Sequence, residues 1–177
     1  MEKPRYTIRD AVPADAEAIA ALFAQSWLDT YPNEAIGITR EWIQQKASKW
    51  PTEESLEVRR QSIRESEGNK DALNRVAESE DHKIIGIISP FRTETTQRVG
   101  ALYVDKAYHG TGLAQELMDH IIDWADPHRP LELEVASYNE RAKAFYRKYG
   151  FKEIENSEHI VHEIIPVVAM TRKGDQQ

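Results

Sequence analysis

Cysteine is missing from the sequence altogether. That gap excludes disulfides, thiolate metal sites and every cysteine-nucleophile mechanism, and it makes a reducing, cytoplasmic setting the natural expectation. Long apolar runs are missing too: none approaches the roughly 20 residues that a membrane-spanning helix needs. The opening residues Met1-Glu2-Lys3-Pro4-Arg5 carry no apolar signal core, so export is not expected. Positive charge is scarce. With 23 Lys and Arg against 30 Asp and Glu, the net charge of −7 argues against nucleic acid as the main partner, since phosphate contact favours basic patches. No Gly-x-Ser-x-Gly elbow and no Gly-Lys-Ser/Thr phosphate loop occurs, and no internal repeat, low-complexity tract or linker interrupts the chain.

What is present reads as an ordinary globular protein, 40% apolar and 30% charged over 177 residues, which is enough for one domain with a real core and short for two. A single domain spanning 1–177 is expected, ordered over about 5–172, with a polar tail from Lys173. Tyr6 to Asp10 alternates as a first strand. Pro13, Asp15 and Glu17 mark a helix start, and Ile19, Leu22, Phe23, Ser26 and Trp27 repeat at helical spacing up to Tyr31-Pro32. Helices are expected from about Thr39 to Trp50, before Pro51, and from Glu53 to Glu67. Leu73 to Glu80, Lys83 to Arg92 and Arg98 to Val104 form an antiparallel meander, with Ile84 to Ile88 apolar on both faces and so central. A helix from Gly112 to Ala125, a strand from Leu131 to Val135 and a helix from Asn139 to Tyr149, stopped by Gly150, follow. Phe151 to Ile154 and Ile164 to Thr171 close the sheet.

The segment from Val99 to Ala114 carries chemistry. A strand runs into a loop holding Gly110 and Gly112, and the loop opens a helix whose first N–H groups are unpaired, an arrangement suited to an anion such as a pyrophosphate. An ordinary tight turn accounts for two glycines equally well. A Rossmann reading is weak, because Gln115 stands at the third glycine position and strand–helix alternation is absent before the loop. His159 and His162 superficially suggest a metal site. In a strand, residues three apart face opposite sides, so they are read as solvated and no metal is expected.

The second segment is more specific. Asn139, Ala142, Phe145, Tyr146, Gly150 and Phe151 match an Asn-x-x-Ala-x-x-Phe-Tyr-x-x-x-Gly-Phe pattern without a gap. His109-Gly110-Thr111-Gly112-Leu113-Ala114 matches a Gln/Arg-x-x-Gly-x-Gly/Ala loop. Together they resemble the GNAT superfamily of N-acetyltransferases, and the order of elements extends the resemblance over essentially the whole chain. It implies a mixed α/β fold with a mostly antiparallel sheet of about seven strands, splayed between strands 4 and 5 and flanked by helices. It also implies acetyl-CoA as co-substrate, an amine as acceptor, and direct transfer in a ternary complex. Many members dimerise, so a homodimer is an expectation, although no segment announces an interface. Ser26 to Pro32 and Gly37 to Thr39 further resemble the polyamine-acetyltransferase-like branch, which points to small cationic amines.

By the same resemblance, backbone around Leu102, Tyr103 and Val104 polarises the thioester. His109, Gly110, Thr111, Gly112, Leu113 and Ala114 hold the pyrophosphate. Asn139 bonds the pantetheine arm while capping its helix, and Tyr146 is the general acid for the departing thiolate. That proton transfer is uphill by about 1.5 pKa units. His109 replaces the usual Gln or Arg, which makes coenzyme binding weaker or pH-sensitive near an ordinary histidine pKa of about 6.5. Trp27 and Tyr31 are candidates to line an amine pocket, with core packing the commoner role for Trp27. The general base is not legible: Glu134 lies on the fifth strand with its facing undetermined, and a water chain would serve equally well. A non-catalytic acyl-CoA sensor and a protein N-terminal acetyltransferase are the rival readings.

Overall fold

The computed structural model describes residues 5–174; Met1–Pro4, read above for a signal core, and the last three residues of the polar tail lie outside them. Thirteen regular elements follow in the order β1 (Tyr6–Asp10), α1 (Ala16–Thr30), α2 (Arg40–Ala47), α3 (Glu53–Ser66), β2 (Arg75–Ser79), β3 (Ile84–Arg92), β4 (Gln97–Val104), α4 (Leu113–Trp124), β5 (Leu131–Ala136), α5 (Glu140–Lys148), β6 (Lys152–Glu153), β7 (His159–Val161) and β8 (Ile165–Arg172). The eight strands form one sheet in the order β1-β2-β3-β4-β5-β8-β6, with β7 also on β8. All pairings are antiparallel except β4 with β5. The mixed, mostly antiparallel sheet is as expected, with one strand more because β7 makes a short hairpin onto β8.

Amphipathic packing explains the layers. On one face, Leu113, Leu117, Met118 and Ile121 of α4 are fully buried against Ile85, Ile88, Leu131, Leu133, Phe151 and Met170. Gly86 is small because α4 lies directly on it: a Cβ there would come within 2.8 Å of Leu117 Cδ1. On the other face, Ile19 and Leu22 of α1 and Ile63 of α3 pack on Val76 and Ile87. Strand β3 is therefore covered on both faces, as its uninterrupted apolar run demands. His120 on α4 is half-buried and lies 2.8 Å from Arg75 Nη1 through its Nδ1. Helix α2 stops at Ala47 rather than Trp50, its chain running down through i→i+3 bonds from Lys49 and Trp50 ahead of Pro51.

The feature that positions the site is local to β4. Ile88 pairs with Leu102, but Pro90 pairs with Val99, so three steps along β4 match two along β3. This is a bulge at Gly100-Ala101, and bulges bend the strand that carries them. Gly100 is obligatory there: a Cβ would lie 2.6 Å from the Ser89 carbonyl oxygen. Beyond the bulge β4 swings off its parallel neighbour, and only Gln97↔Leu131 and Arg98↔Glu132 stay in register. Gly100→Ala forces backbone to move, and such overpacking costs about 1–3 kcal/mol. A lower denaturant midpoint at unchanged slope is the expected result.

Candidate functional site

Where β4 and β5 part, a cavity of about 290 Å³ opens between them. Its walls are Val99–Val104 from β4 and Leu133–Ala136 from β5, its mouth carries Lys106, His109, Gly110, Ala114 and Arg141, and its roof is Asn139, Ala142, Phe145 and Tyr146. Strand alternation tells which backbone groups face it. The Asp105 N–H is used on Ile85 O of β3, so Leu102 and Val104, of opposite parity, turn their N–H groups toward the parted side. Gly110 and Gly112 adopt φ of 80° and 100°, values that place the loop against the first turn of α4 and favour glycine. Thr111 Oγ1 donates to Tyr108 O at 2.8 Å, which tightens that loop.

His109 is held by both ring nitrogens. It lies 3.2 Å from Val104 O through Nε2 and 2.9 Å from Arg141 Nη1 through Nδ1. A guanidinium only donates and a carbonyl only accepts, so Nδ1 is the acceptor and Nε2 carries the hydrogen. Partial burial and then the Arg141 charge hold the imidazole below its ordinary 6.5. Asn139 caps α5 by accepting from Ala142 N–H at 3.0 Å. The Tyr146 phenol is pushed well above its ordinary range by burial and then by Tyr103.

A second cavity of about 580 Å³ lies on the far side of the same opening. Trp27, Phe91, Thr93, Arg98 and His162 line it, and it shares Tyr31, Val99, Gly100, Tyr103, Glu134 and Ala136 with the first. Trp27 donates its indole N–H to Tyr103 Oη at 3.1 Å, and Tyr31 Oη lies 3.5 Å from the same oxygen. Burial is the main cause that raises the Tyr31 and Tyr103 phenols, so both are neutral. Two cavities meeting at a strand opening, one with a glycine-bearing loop and a helix N-terminus at its mouth, suit group transfer between two substrates.

A family model described as an acetyltransferase (GNAT) domain matches residues 29–173. The chain belongs to the GNAT acetyltransferase family. No curated protein matches it in sequence. Among solved structures, the PaiA N-acetyltransferase from Thermoplasma acidophilum, in complex with coenzyme A, is 22% identical at TM-score 0.74, over 96% of this chain and 99% of that one. The yncA protein from Salmonella typhimurium, with its cofactor acetyl-CoA, is 18% identical at TM-score 0.70, over 98% and 96%. The ribosomal-protein-alanine N-acetyltransferase from Brucella melitensis is 20% identical at TM-score 0.68, over 94% and 99%.

In this GNAT chain the first cavity gathers Leu102, Tyr103, Val104, His109, Gly110, Ala114, Asn139 and Tyr146; Thr111, Gly112 and Leu113 continue the loop into α4 without lining it. Trp27 is 6% exposed, so it is both core and cavity wall. His159 and His162 are both exposed, in keeping with their reading as solvated, and each also makes a side-chain contact. His162 packs edge-on against Trp27 with centroids 4.9 Å apart, and His159 Nε2 lies 3.7 Å from Glu134 Oε1. No group of three potential metal ligands assembles among the described residues. Sequence reasoning missed Arg141: the guanidinium absent from position 109 arrives from α5, and only its place two residues after the Asn139 cap hinted at this.

The neutral imidazole is the form the fold favours, so His109 contributes stability that is present above pH 6.5 and lost as pH falls through its lower folded value. A ring ¹⁵N titration should show the Nε2–H tautomer at pH 7 and a midpoint below 6.5. Arg141→Gln should move that midpoint up; an unmoved midpoint would rule out the guanidinium as a cause.

Proposed function

We propose that this chain is an acetyl-CoA-dependent N-acetyltransferase in which a primary amine attacks the thioester directly. The observation that carries the reading is the bulged, parted β4, whose Leu102 and Val104 N–H groups sit between two meeting cavities. Coenzyme A in the Thermoplasma relative and acetyl-CoA in the Salmonella relative support the assignment of the first cavity to the coenzyme. The residues fit such a group. The slot takes an extended pantetheine arm, while the α4 N-terminus, Lys106 and Arg141 supply positive potential at its mouth for phosphates.

The amine enters from the second cavity. Its aromatic wall of Trp27, Tyr31, Phe91 and Tyr103 attracts an ammonium group. Its one carboxylate, Glu134, is already paired with Arg98 at 3.0 Å, so a monoamine suits the local charge better than a polycation such as spermine. Attack on the carbonyl makes an oxyanion that preset backbone donors at Leu102 and Val104 stabilise without reorganising. Tyr146 lies on the coenzyme side with its proton firmly held. Its raised pKa makes full transfer to a thiolate steeply uphill, so its contribution is a hydrogen bond that grows as sulfur charge develops. A phenol kept in this place favours turnover over the sensor reading. The cysteine-free sequence agrees with a cytoplasmic setting.

Thiol release from acetyl-CoA with a panel of amino acids, Ser- or Ala-starting peptides, spermidine, spermine and an aminoglycoside tests the reading. Release with any member supports transfer. Silence across the panel, with acetyl-CoA still raising the melting temperature, would favour a sensor instead. Tyr146→Phe should lower kcat by roughly 10- to 100-fold, below the ~10²–10⁴ of a fully committed acid; activity below detection would contradict the hydrogen-bond role. Arg141→Ala should raise KM for acetyl-CoA and leave kcat unchanged, the pattern of lost ground-state binding.

A further inference from the structure

Among the residues lining the second cavity there is one carboxylate, Glu134, and one guanidinium, Arg98. The two differ in place. Glu134 lines both cavities, whereas Arg98 lines only the second. Along β4, Arg98 also comes four and six residues before Leu102 and Val104, whose N–H groups face the parted side. Positive charge on the acceptor side therefore stands behind negative charge, as seen from the coenzyme side.

Arg98 is firmly mounted and only partly used. Its backbone is in register with Phe91 of β3 and with Glu132 of β5, the last paired step before β4 and β5 part. Of the five N–H donors of a guanidinium, one is engaged: Nη2 donates to Glu134 Oε1 at 3.0 Å. The others make no hydrogen bond to a described residue. Glu134 is met at the same Oε1 by His159 Nε2 at 3.7 Å, and its Oε2 is likewise open. The pair thus offers a ligand one unused edge of each sign. A matching acceptor carries its ammonium toward the thioester and an acid group behind it. A carboxylate takes two parallel N–H bonds from such a fork. A phosphate dianion would leave a charge unmatched, and a polyamine would set a second cation against Arg98.

We infer that the acceptor is an aminocarboxylate and that Arg98 is the residue that selects it, holding the acid group while the amine stands at the junction of the cavities. This rests on the acetyltransferase reading and deepens it by naming the substrate class. Selection works in both directions, because the guanidinium that binds a carboxylate also repels the second amine of a polyamine. The rest of the cavity, about 580 Å³ with Trp27, Tyr31, Phe91 and Tyr103 in its wall, accommodates an apolar side chain. Phenylalanine and leucine are therefore the probes that fit.

The test measures thiol release with phenylalanine and leucine, each beside its carboxamide and its decarboxylated amine, together with the amine panel. The carboxamide's amine is less basic than the amino acid's and the decarboxylated amine's is more basic, so a lead of the acid over both does not come from basicity. Wild type should show kcat/KM for the acid about 10- to 100-fold above both, the worth of a charge-assisted hydrogen bond. Arg98→Gln should erase that lead and raise the rate with the decarboxylated amine and spermidine, whereas a residue that merely braced Glu134 would lower every rate together. Arg98→Lys, which keeps the charge without the fork, should recover part of the lead. Melting temperatures show whether each variant folds, and the wild-type comparison decides the substrate class without them. A carboxamide or decarboxylated amine as good as its acid would overturn the inference and leave the acetyltransferase reading standing. Turnover confined to spermidine, spermine, peptides or the aminoglycoside would do the same. Wild-type silence with every amine would overturn the acetyltransferase reading itself.

Discussion

Gln97 has no exposed surface, and its amide is fully engaged. Nε2 donates to Asp126 O at 3.0 Å and to Arg129 O at 3.3 Å, while Oε1 accepts from Asp126 N–H at 2.7 Å and from Arg92 Nε at 3.2 Å. Its backbone N–H bonds Pro130 O at 3.1 Å. This one side chain therefore ties the first residue of β4 to the loop that leads into β5. A buried amide with unmet bonds costs about 1–3 kcal/mol for each stranded group, so the arrangement persists only when complete. Directly above it the bulge at Gly100 bends β4 away. A pin below and a bend above make a wedge, and both cavities are the space inside that wedge.

The wedge separates two electrostatic tasks. The side proposed for the coenzyme is lined by strand backbone and given positive potential by Lys106, Arg141 and the start of α4. The side proposed for the acceptor is largely aromatic, with the Arg98–Glu134 pair as its charged element and Thr93 and His162 as further polar groups. Three phenols, Tyr31, Tyr103 and Tyr146, stand near the junction, and burial keeps all of them protonated. They offer hydrogen bonds there without adding charge, which suits a reaction whose charge moves from nitrogen to oxygen to sulfur.

Much of this was legible in the sequence where the signal is local. Strand β1 and helix α5 fall where alternation and the Asn139 and Gly150 punctuation put them, because caps and periodicity are short-range physics. The loop glycines and the Phe145-Tyr146 pair were legible through family likeness. What escaped depends on partners distant in the chain. Gln97 was left outside its strand, since nothing in its neighbours says that Asp126 will meet its amide. Arg141 finds His109 across 32 positions, and Glu134 finds Arg98 across 36. Alternation alone does not say which way Glu134 faces when the neighbouring strand has departed. His159 and His162 are exposed as read, but their contacts with Glu134 and Trp27 were not legible, since β7 ends at Val161 and strand alternation does not extend to His162.

That ending has an implication for how the enzyme's substrate range can drift. His162 and Glu163 turn the chain from β7 to β8 with φ of 48° and 76°, a conformation side-chain-bearing residues adopt reluctantly. Lys46 of α2 holds Glu163 at 2.6 Å, and Trp27 backs His162. On the proposed assignment, the acceptor wall ends in a short surface turn that two side-chain contacts brace beyond the β7–β8 ladder, whereas the coenzyme wall is mainly strand backbone. On that assignment, sequence change at the turn would alter the shape offered to an amine without touching the residues proposed to hold the coenzyme. Selection for a new acceptor has a separate handle.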